Sequence, residues 1–163
     1  IRFHTQFHEF GIRKRMPLLP AYFGAFVQPF ILRNLKPEVA DAMIGEYNLT
    51  VYTPLLEADA SRRFAEVFKK KYGYPPDDSH ASAYLTVQIA LRALKATGGD
   101  TTPEKLRQAI LAVDFESCEG RIRFDPEKQC AIRDLYICRI DKIEGNYTMV
   151  PVHTYKDIPP RGY

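Results

Sequence analysis

The chain has 163 residues and lacks most of the features that announce a chemistry. There is no initiator methionine. The sequence opens on Ile1, Arg2 and Phe3, already inside a helical pattern, as a trimmed or cleaved product does. No signal peptide is recognisable, and with such a start its absence carries no weight on localisation. No apolar run approaches the ~20 residues needed to cross a bilayer, so no transmembrane segment is expected here. Cysteine is scarce: Cys118, Cys130 and Cys138 are an odd number, without a CxxC pair or metal-like spacing. A Cys118–Cys130 disulfide would join the ends of a strand–turn unit, and three half-buried thiols is the plainer alternative. The net charge is only +3, with lysines and arginines interleaved among acids, which leaves no footprint for nucleic acid.

Catalytic signatures are missing too. GxSxG, P-loop and GxGxxG patterns do not occur, and neither does HExxH. His4 and His8 lie one helical turn apart, but no third ligand accompanies them, so they read as boundary histidines rather than a metal site. Glu116, Glu119 and Asp125 fall near Cys118, yet they sit in a connector and a turn, where acids are solvated. Nothing singles out a pairing of Cys118 with His153. No nucleophile has an activating context, so an enzyme is not expected. Internal repeats and low-complexity segments are absent as well.

What is present is organised around residues 64–99. Phe64, Val67, Phe68 and Tyr72 recur at helical spacing, with Arg62, Arg63 and Lys69 to Lys71 on the wet side. Asp59 is placed to cap this helix and Gly73 to end it. Pro75 and Pro76 cannot continue a helix, so the chain crosses extended to Asp77, Asp78 and Ser79. Ser79 is the expected cap of a second helix, whose Ala83, Val87, Ala90, Leu91 and Leu94 form an apolar face that reads as well buried.

Upstream, Phe3, Phe7 and Phe10 mark a helix ended by Gly11, and residues 16–19 read as a short buried strand. Ala21, Tyr22, Phe23 and Phe26 follow it directly. In α/β sheets ligands gather at the carboxyl ends of strands, and aromatics there either wall a pocket or simply pack. A helix over 28–35, a helical turn over 37–43 and a strand over 47–53 come next. Downstream, Thr102 and Pro103 open a helix over 104–113 with Leu106, Ile110 and Leu111 inward. Residues 114–120 read as a connector. Strands follow over 121–124, 132–140 and 147–154, with turns at 125–128 and 144–146. The triplets at Asn48 and Asn146 match the glycosylation pattern, but both fall in strands or their edges and are discounted.

The order of these blocks carries a resemblance. FHEFGIRKRMPLL, RRFAEVFKKKYGYPP, HASAYLTVQIALRALKATGGDTTPEKLRQAIL and DFESCEGRIRFDPEKQCAIRDLYICRI together resemble the second half of type I periplasmic solute-binding proteins. Within them the chain looks most like the branched-chain amino acid and amide-binding branch of ABC importers. The resemblance implies an α/β chain, part of a two-lobed fold with three-layer α/β/α lobes, truncated at the N-terminus. Residues 1–74 would belong to the second lobe and 75–78 to a hinge crossover. Helices in 79–120 would pack on the first lobe, and 121–163 would return to close the second. It implies a periplasmic or extracytoplasmic solute-binding component with a small-molecule ligand in an interlobe cleft, no catalytic residue and no cofactor. Its partners would be an ABC permease and the missing N-terminal half. A ligand-sensing domain of a receptor or regulator is the alternative for the same fold.

In amino-acid binders of this family an acidic residue just past the strand at 16–19 holds the ligand's ammonium group. Here Ala21, Tyr22 and Phe23 stand in that place. An unpaired buried ammonium is costly, so the resemblance implies an apolar or aromatic carboxylate or an amide more readily than an α-amino acid. Tyr22 and Phe23 would stack on it, with Phe26 behind. Without a first-lobe sheet, the two apolar helices are expected to expose a patch.

Overall fold

The computed structural model describes residues 2–16 and 29–159. Its elements run α1 (Arg2–Glu9), a 3-10 turn (Ile12–Lys14), α2 (Pro29–Arg33), α3 (Pro37–Asp41), β1 (Tyr47–Thr50), α4 (Asp59–Tyr72), α5 (Asp78–Ala96) and α6 (Pro103–Leu111). Then come β2 (Asp114–Ser117), β3 (Gly120–Asp125), β4 (Cys130–Ile143) and β5 (Asn146–Ile158). The mixed α/β class is as the sequence indicates. Every strand pairing among the described residues is antiparallel.

β4 organises the sheet. Its first residues pair with β3, which pairs with β2, while Tyr136 to Arg139 pair with β1. Along its other side β4 pairs with β5 from Arg133 to Ile143, with irregularities after Arg133 and Ile137. The turn at Glu144 and Gly145 has positive φ at both residues, 49° and 77°. That conformation closes the hairpin with the right-handed twist its strands require. Residues 114–117 form a strand where a connector was expected. Its polar stretch gives no alternation signal, and Arg121 of β3 reaches diagonally to Asp114 in a bidentate ion pair, Nε and Nη2 both at 2.8 Å.

Two apolar clusters hold these elements. One joins Val51, Tyr52 and Leu56 after β1 to Ala81 and Leu85 of α5 and to Cys118, Ile122, Tyr136, Cys138 and Met149 of the sheet. The other packs Leu32, Leu35, Val39, Ala40 and Met43 against Ile140. Gly11 and Gly73 terminate their helices with φ of 64° and 80°, as expected of helix ends that need the left-handed region.

Several local expectations are corrected. The cap of α5 is Asp77, not Ser79: its carboxylate accepts from His80 N at 3.3 Å, and His80 Nδ1 reaches back to Asp77 N, a reciprocal capping box. Asp59 lies inside the first turn of α4 behind Ala58, paired with Arg62. Met16 is exposed and follows the 3-10 turn; the rest of the strand expected over 16–19 lies outside the described residues.

The face of α5 that reads as well buried is open here, as the resemblance implies for a helix whose first-lobe sheet is missing. Ala83, Val87, Ala90 and Leu91 are exposed, Val87 and Leu91 by 56% and 60%, while Ala81, Leu85 and Ala93 turn inward. On α6, Leu106, Ile110 and Leu111 are only half-buried. The strands reach α5 from one side alone, so its apolar periphery exceeds what they cover.

Candidate functional site

The expected ligand wall, Ala21, Tyr22, Phe23 and Phe26, lies outside the described residues. Among the described residues, the helical pair that the sequence brings to the fore encloses a groove. α4 and α5 are connected by Tyr74, Pro75 and Pro76, short enough to return the chain beside itself, and β2 closes the floor. The groove holds about 710 Å³ and is lined by Phe64, Phe68 and Tyr72 from α4 and by Tyr84, Gln88 and Arg92 from α5. These are two rows at i, i+4, i+8 spacing facing each other. Phe64 stacks on Tyr84 with ring centroids 4.9 Å apart, and Phe68 packs edge-on against His80 at 4.6 Å.

Beneath the N-terminus of α5 sits a buried polar cluster. Asp77 and Asp78 are 3% and 5% exposed, and Tyr52 and Thr50 are fully buried. Thr50 Oγ1 lies 3.0 Å from the Tyr52 carbonyl and 3.2 Å from Asp78 Oδ2. One hydroxyl proton cannot serve two acceptors, so both contacts are hydrogen bonds only when Asp78 carries a proton. Burial, then the neighbouring Asp77 charge, raises the Asp78 carboxyl above its ordinary value, while contacts with Thr50 and Ser79 partly oppose the shift. Burial likewise raises the Tyr52 phenol. Asp78 Oδ1 and the Tyr52 hydroxyl have no hydrogen-bond partner among the described residues.

Glu119 corrects the reading of a solvated acid. It is 2% exposed, accepts from the Ser82 hydroxyl at 2.7 Å and forms an ion pair with Arg133, tying α5 to β4. Its partners are distant in sequence, so no local signal marks it. Asp125, by contrast, accepts from Glu127 N and Lys128 N at 2.9 and 2.8 Å as a turn former.

All three cysteines are free thiols, Cys118 and Cys138 buried and Cys130 exposed. Burial pushes the Cys118 thiol up to about 11 and the Cys138 thiol up to about 12, which disfavours a nucleophilic thiolate. Cys118 borders the α4–α5 groove, whereas His153 lines a different depression beside Leu55 and Pro151, so the two do not converge. No group of three or more His, Cys, Asp or Glu among the described residues is placed to hold a metal ion. No helix among them is long and apolar enough to cross a membrane.

A family model for periplasmic binding proteins matches residues 1–146. The chain belongs to that family. An ABC transporter substrate-binding protein from Sphaerobacter thermophilus shares 31% identity and superposes with a TM-score of 0.83 over 97% of this chain and 42% of its own. A solute-binding protein from Rhodopseudomonas palustris BisB5, solved with 3,4-dihydroxybenzoic acid, shares 23% identity with a TM-score of 0.83, again over 42% of its length. Leu/Ile/Val-binding protein homolog 6 of Brucella abortus is 24% identical over 90% of this chain and 43% of its own length. The chain thus spans about two-fifths of these periplasmic binding proteins. The family and fold are those of solute-binding proteins, which are not enzymes.

Proposed function

We propose that this chain supplies the second lobe, with helices that lean on the first, of an extracytoplasmic solute-binding component of an ABC importer. Residues 1–74 and 121–163 form that lobe, 75–78 the crossover, and the helices within 79–120 the part that packs on a first lobe. The observation that supports this most directly is the open face of α5. Val87 and Leu91 are still 56% and 60% exposed, so burying the rest of them would contribute about 1–2 kcal/mol each, which the described sheet leaves unrealised. A first-lobe sheet is the partner that this face and the two-fifths coverage call for. A membrane permease would receive the ligand.

The ligand is an aromatic carboxylate, held in the interlobe cleft against Ala21, Tyr22, Phe23 and Phe26. The absence of a carboxylate among Ala21, Tyr22 and Phe23 argues against an α-amino acid, because an ammonium left unpaired there would be costly. Fold neighbours include both kinds of binder: Rhodopseudomonas palustris proteins solved with 4-hydroxybenzoate and benzoate, and a leucine-, isoleucine-, valine-, threonine- and alanine-binding protein from Brucella ovis. The test is calorimetric titration of the chain joined to its first lobe with 4-hydroxybenzoate and with leucine. Saturable binding of the aromatic acid, lost in Tyr22→Ala and Phe23→Ala, is expected; binding of leucine alone would overturn the ligand assignment.

A further inference from the structure

We infer that Asp78 is a proton-operated latch: protonated, it holds the start of α5 onto β1, and on losing its proton it lets that first turn move away. The two sides of the contact differ in freedom. Thr50 is fixed, because β1 pairs it with Tyr136 of β4, and its Oγ1 accepts from Tyr52 N at 3.3 Å. Asp78 opens α5, which the chain enters through Pro75 and Pro76, two residues with no backbone N–H to tie down. Asp78 Oδ2, 3.2 Å from Thr50 Oγ1, spans the two elements. Further along, α5 is secured independently: Ala81 and Leu85 sit in the apolar core, and Ser82 donates to Glu119 at 2.7 Å.

The two protonation states differ by one hydrogen bond. With the proton on Oδ2, Asp78 donates to Thr50 Oγ1 and Thr50 donates to the Tyr52 carbonyl at 3.0 Å. Once that proton leaves for solvent, Thr50 has a single hydrogen for the carbonyl and the carboxylate, and one acceptor is left buried and unmatched. Two further polar atoms there, Asp78 Oδ1 and the Tyr52 hydroxyl, are already buried without a partner among the described residues. A displacement of residues 77–80 that admits water serves all of these groups at once.

The neighbouring charges set the sign. The titratable groups around the latch are Asp77 and His80 on α5 and, beside Tyr52, Cys118 from the β2–β3 turn. Asp77 is committed as the helix cap, accepting from His80 N and paired with His80 Nδ1 at 2.6 Å, and its charge opposes a second one on Asp78. The Cys118 thiol, pushed up to about 11 by burial, stays neutral. Contacts with Thr50 and Ser79 favour the ionised carboxyl without outweighing burial and Asp77. On the side of α2, Arg33 lies over the Tyr74 ring at 4.9 Å. Below 3.8, the ordinary value, the latched and open forms both hold the proton, and opening is independent of pH. Above it the open form releases the proton first, so opening becomes easier as pH rises until the latched carboxyl also ionises.

Hydrogen exchange of the isotopically labelled protein, followed by nuclear magnetic resonance from about pH 5 to about pH 7.5, tests the inference. The amides of Tyr52, His80 and Ala81 donate to Thr50 Oγ1, Asp77 Oδ1 and the Asp77 carbonyl. They should open together, at lower protection than the β4–β5 ladder. Corrected for the base-catalysed rise in exchange, their protection should fall roughly tenfold with pH, from the loss of one buried hydrogen bond. Asp78→Asn, whose amide always donates, should abolish that response. His80→Gln, which keeps a capping-box residue at the same position, should preserve it. Carboxyl-carbon titration of the parent should show Asp78 ionising over the range in which protection falls. Equal protection of the first turn and the ladder, a response that survives Asp78→Asn or vanishes in His80→Gln, or an Asp78 carboxyl fully ionised at about pH 5 would each overturn the latch. Its consequence rests on the two-lobed reading: α5 leans on the first lobe, so in the chain joined to that lobe the affinity for 4-hydroxybenzoate should vary with pH in the parent and not in Asp78→Asn. A flat profile there, with the exchange result intact, would count against the lobe assignment rather than the latch.

Discussion

Replacing Asp78 by asparagine should make the protein more stable above neutral pH, although it removes a charge beside a helix N-terminus. Thr50 offers one hydroxyl proton to two acceptors, the Tyr52 carbonyl and Asp78 Oδ2, and Asp78 Oδ1 has no partner among the described residues. An ionised Asp78 therefore leaves a buried acceptor unmatched, at a cost of about 1–3 kcal/mol that the Asp77 charge adds to and the Ser79 contacts partly offset. The asparagine amide donates to Thr50 as the protonated acid does, so the expected gain is about 1–2 kcal/mol at pH 8. The pH dependence follows from the raised value. Below 3.8, the ordinary value, folded and unfolded chains both hold the proton. Above it the unfolded chain releases a proton that the folded chain retains, so stability declines as pH rises until the folded carboxyl also ionises. The advantage of Asp78→Asn should widen over that window and vanish at its acid end. Urea unfolding at a series of pH values from 3.5 to 8 measures both quantities. A variant less stable than the parent at pH 8, or a difference independent of pH, would refute the proton count at Thr50.

Two further outcomes follow from the buried groups. Glu119→Ala should destabilise by roughly 3 kcal/mol in urea unfolding, because it strands Arg133 and removes the acceptor of Ser82. A loss under 1 kcal/mol would mean the pair is solvated. In thiol labelling of the native protein, Cys130 should react alone, with Cys118 and Cys138 modified only after unfolding; early loss of all three would contradict their burial.

How much was legible varies with the range of the forces involved. The β4–β5 hairpin was readable because alternation and a Gly-containing turn are local, and only its length was underread. Helix ends at Gly11 and Gly73 were readable for the same reason. The cap of α5 was not, since Asp77, Asp78 and Ser79 are all acceptable caps and the choice turns on the His80 ring. Periodicity found the apolar stripe of α5 but not which stripe meets the sheet, because that depends on where β3 and β4 arrive. Glu119 looked like any connector acid until Arg133 and Ser82 came to it from other elements. The aromatic row of α4 that lines the groove was visible as a helical repeat, while the facing Tyr84, Gln88 and Arg92 carried no signal without α4 beside them.

The doubly used strand β4 has a mechanical consequence. Its first three residues carry β3 and, through it, β2, while the rest carries β1 and β5. The two groups of strands are thus riveted to one continuous backbone and cannot slide apart without breaking its ladders. Relative displacement is confined to torsion about the axis of β4, like two vanes on a single shaft. Glu119, bonded across to Arg133 near the junction, sits where such torsion would first be felt.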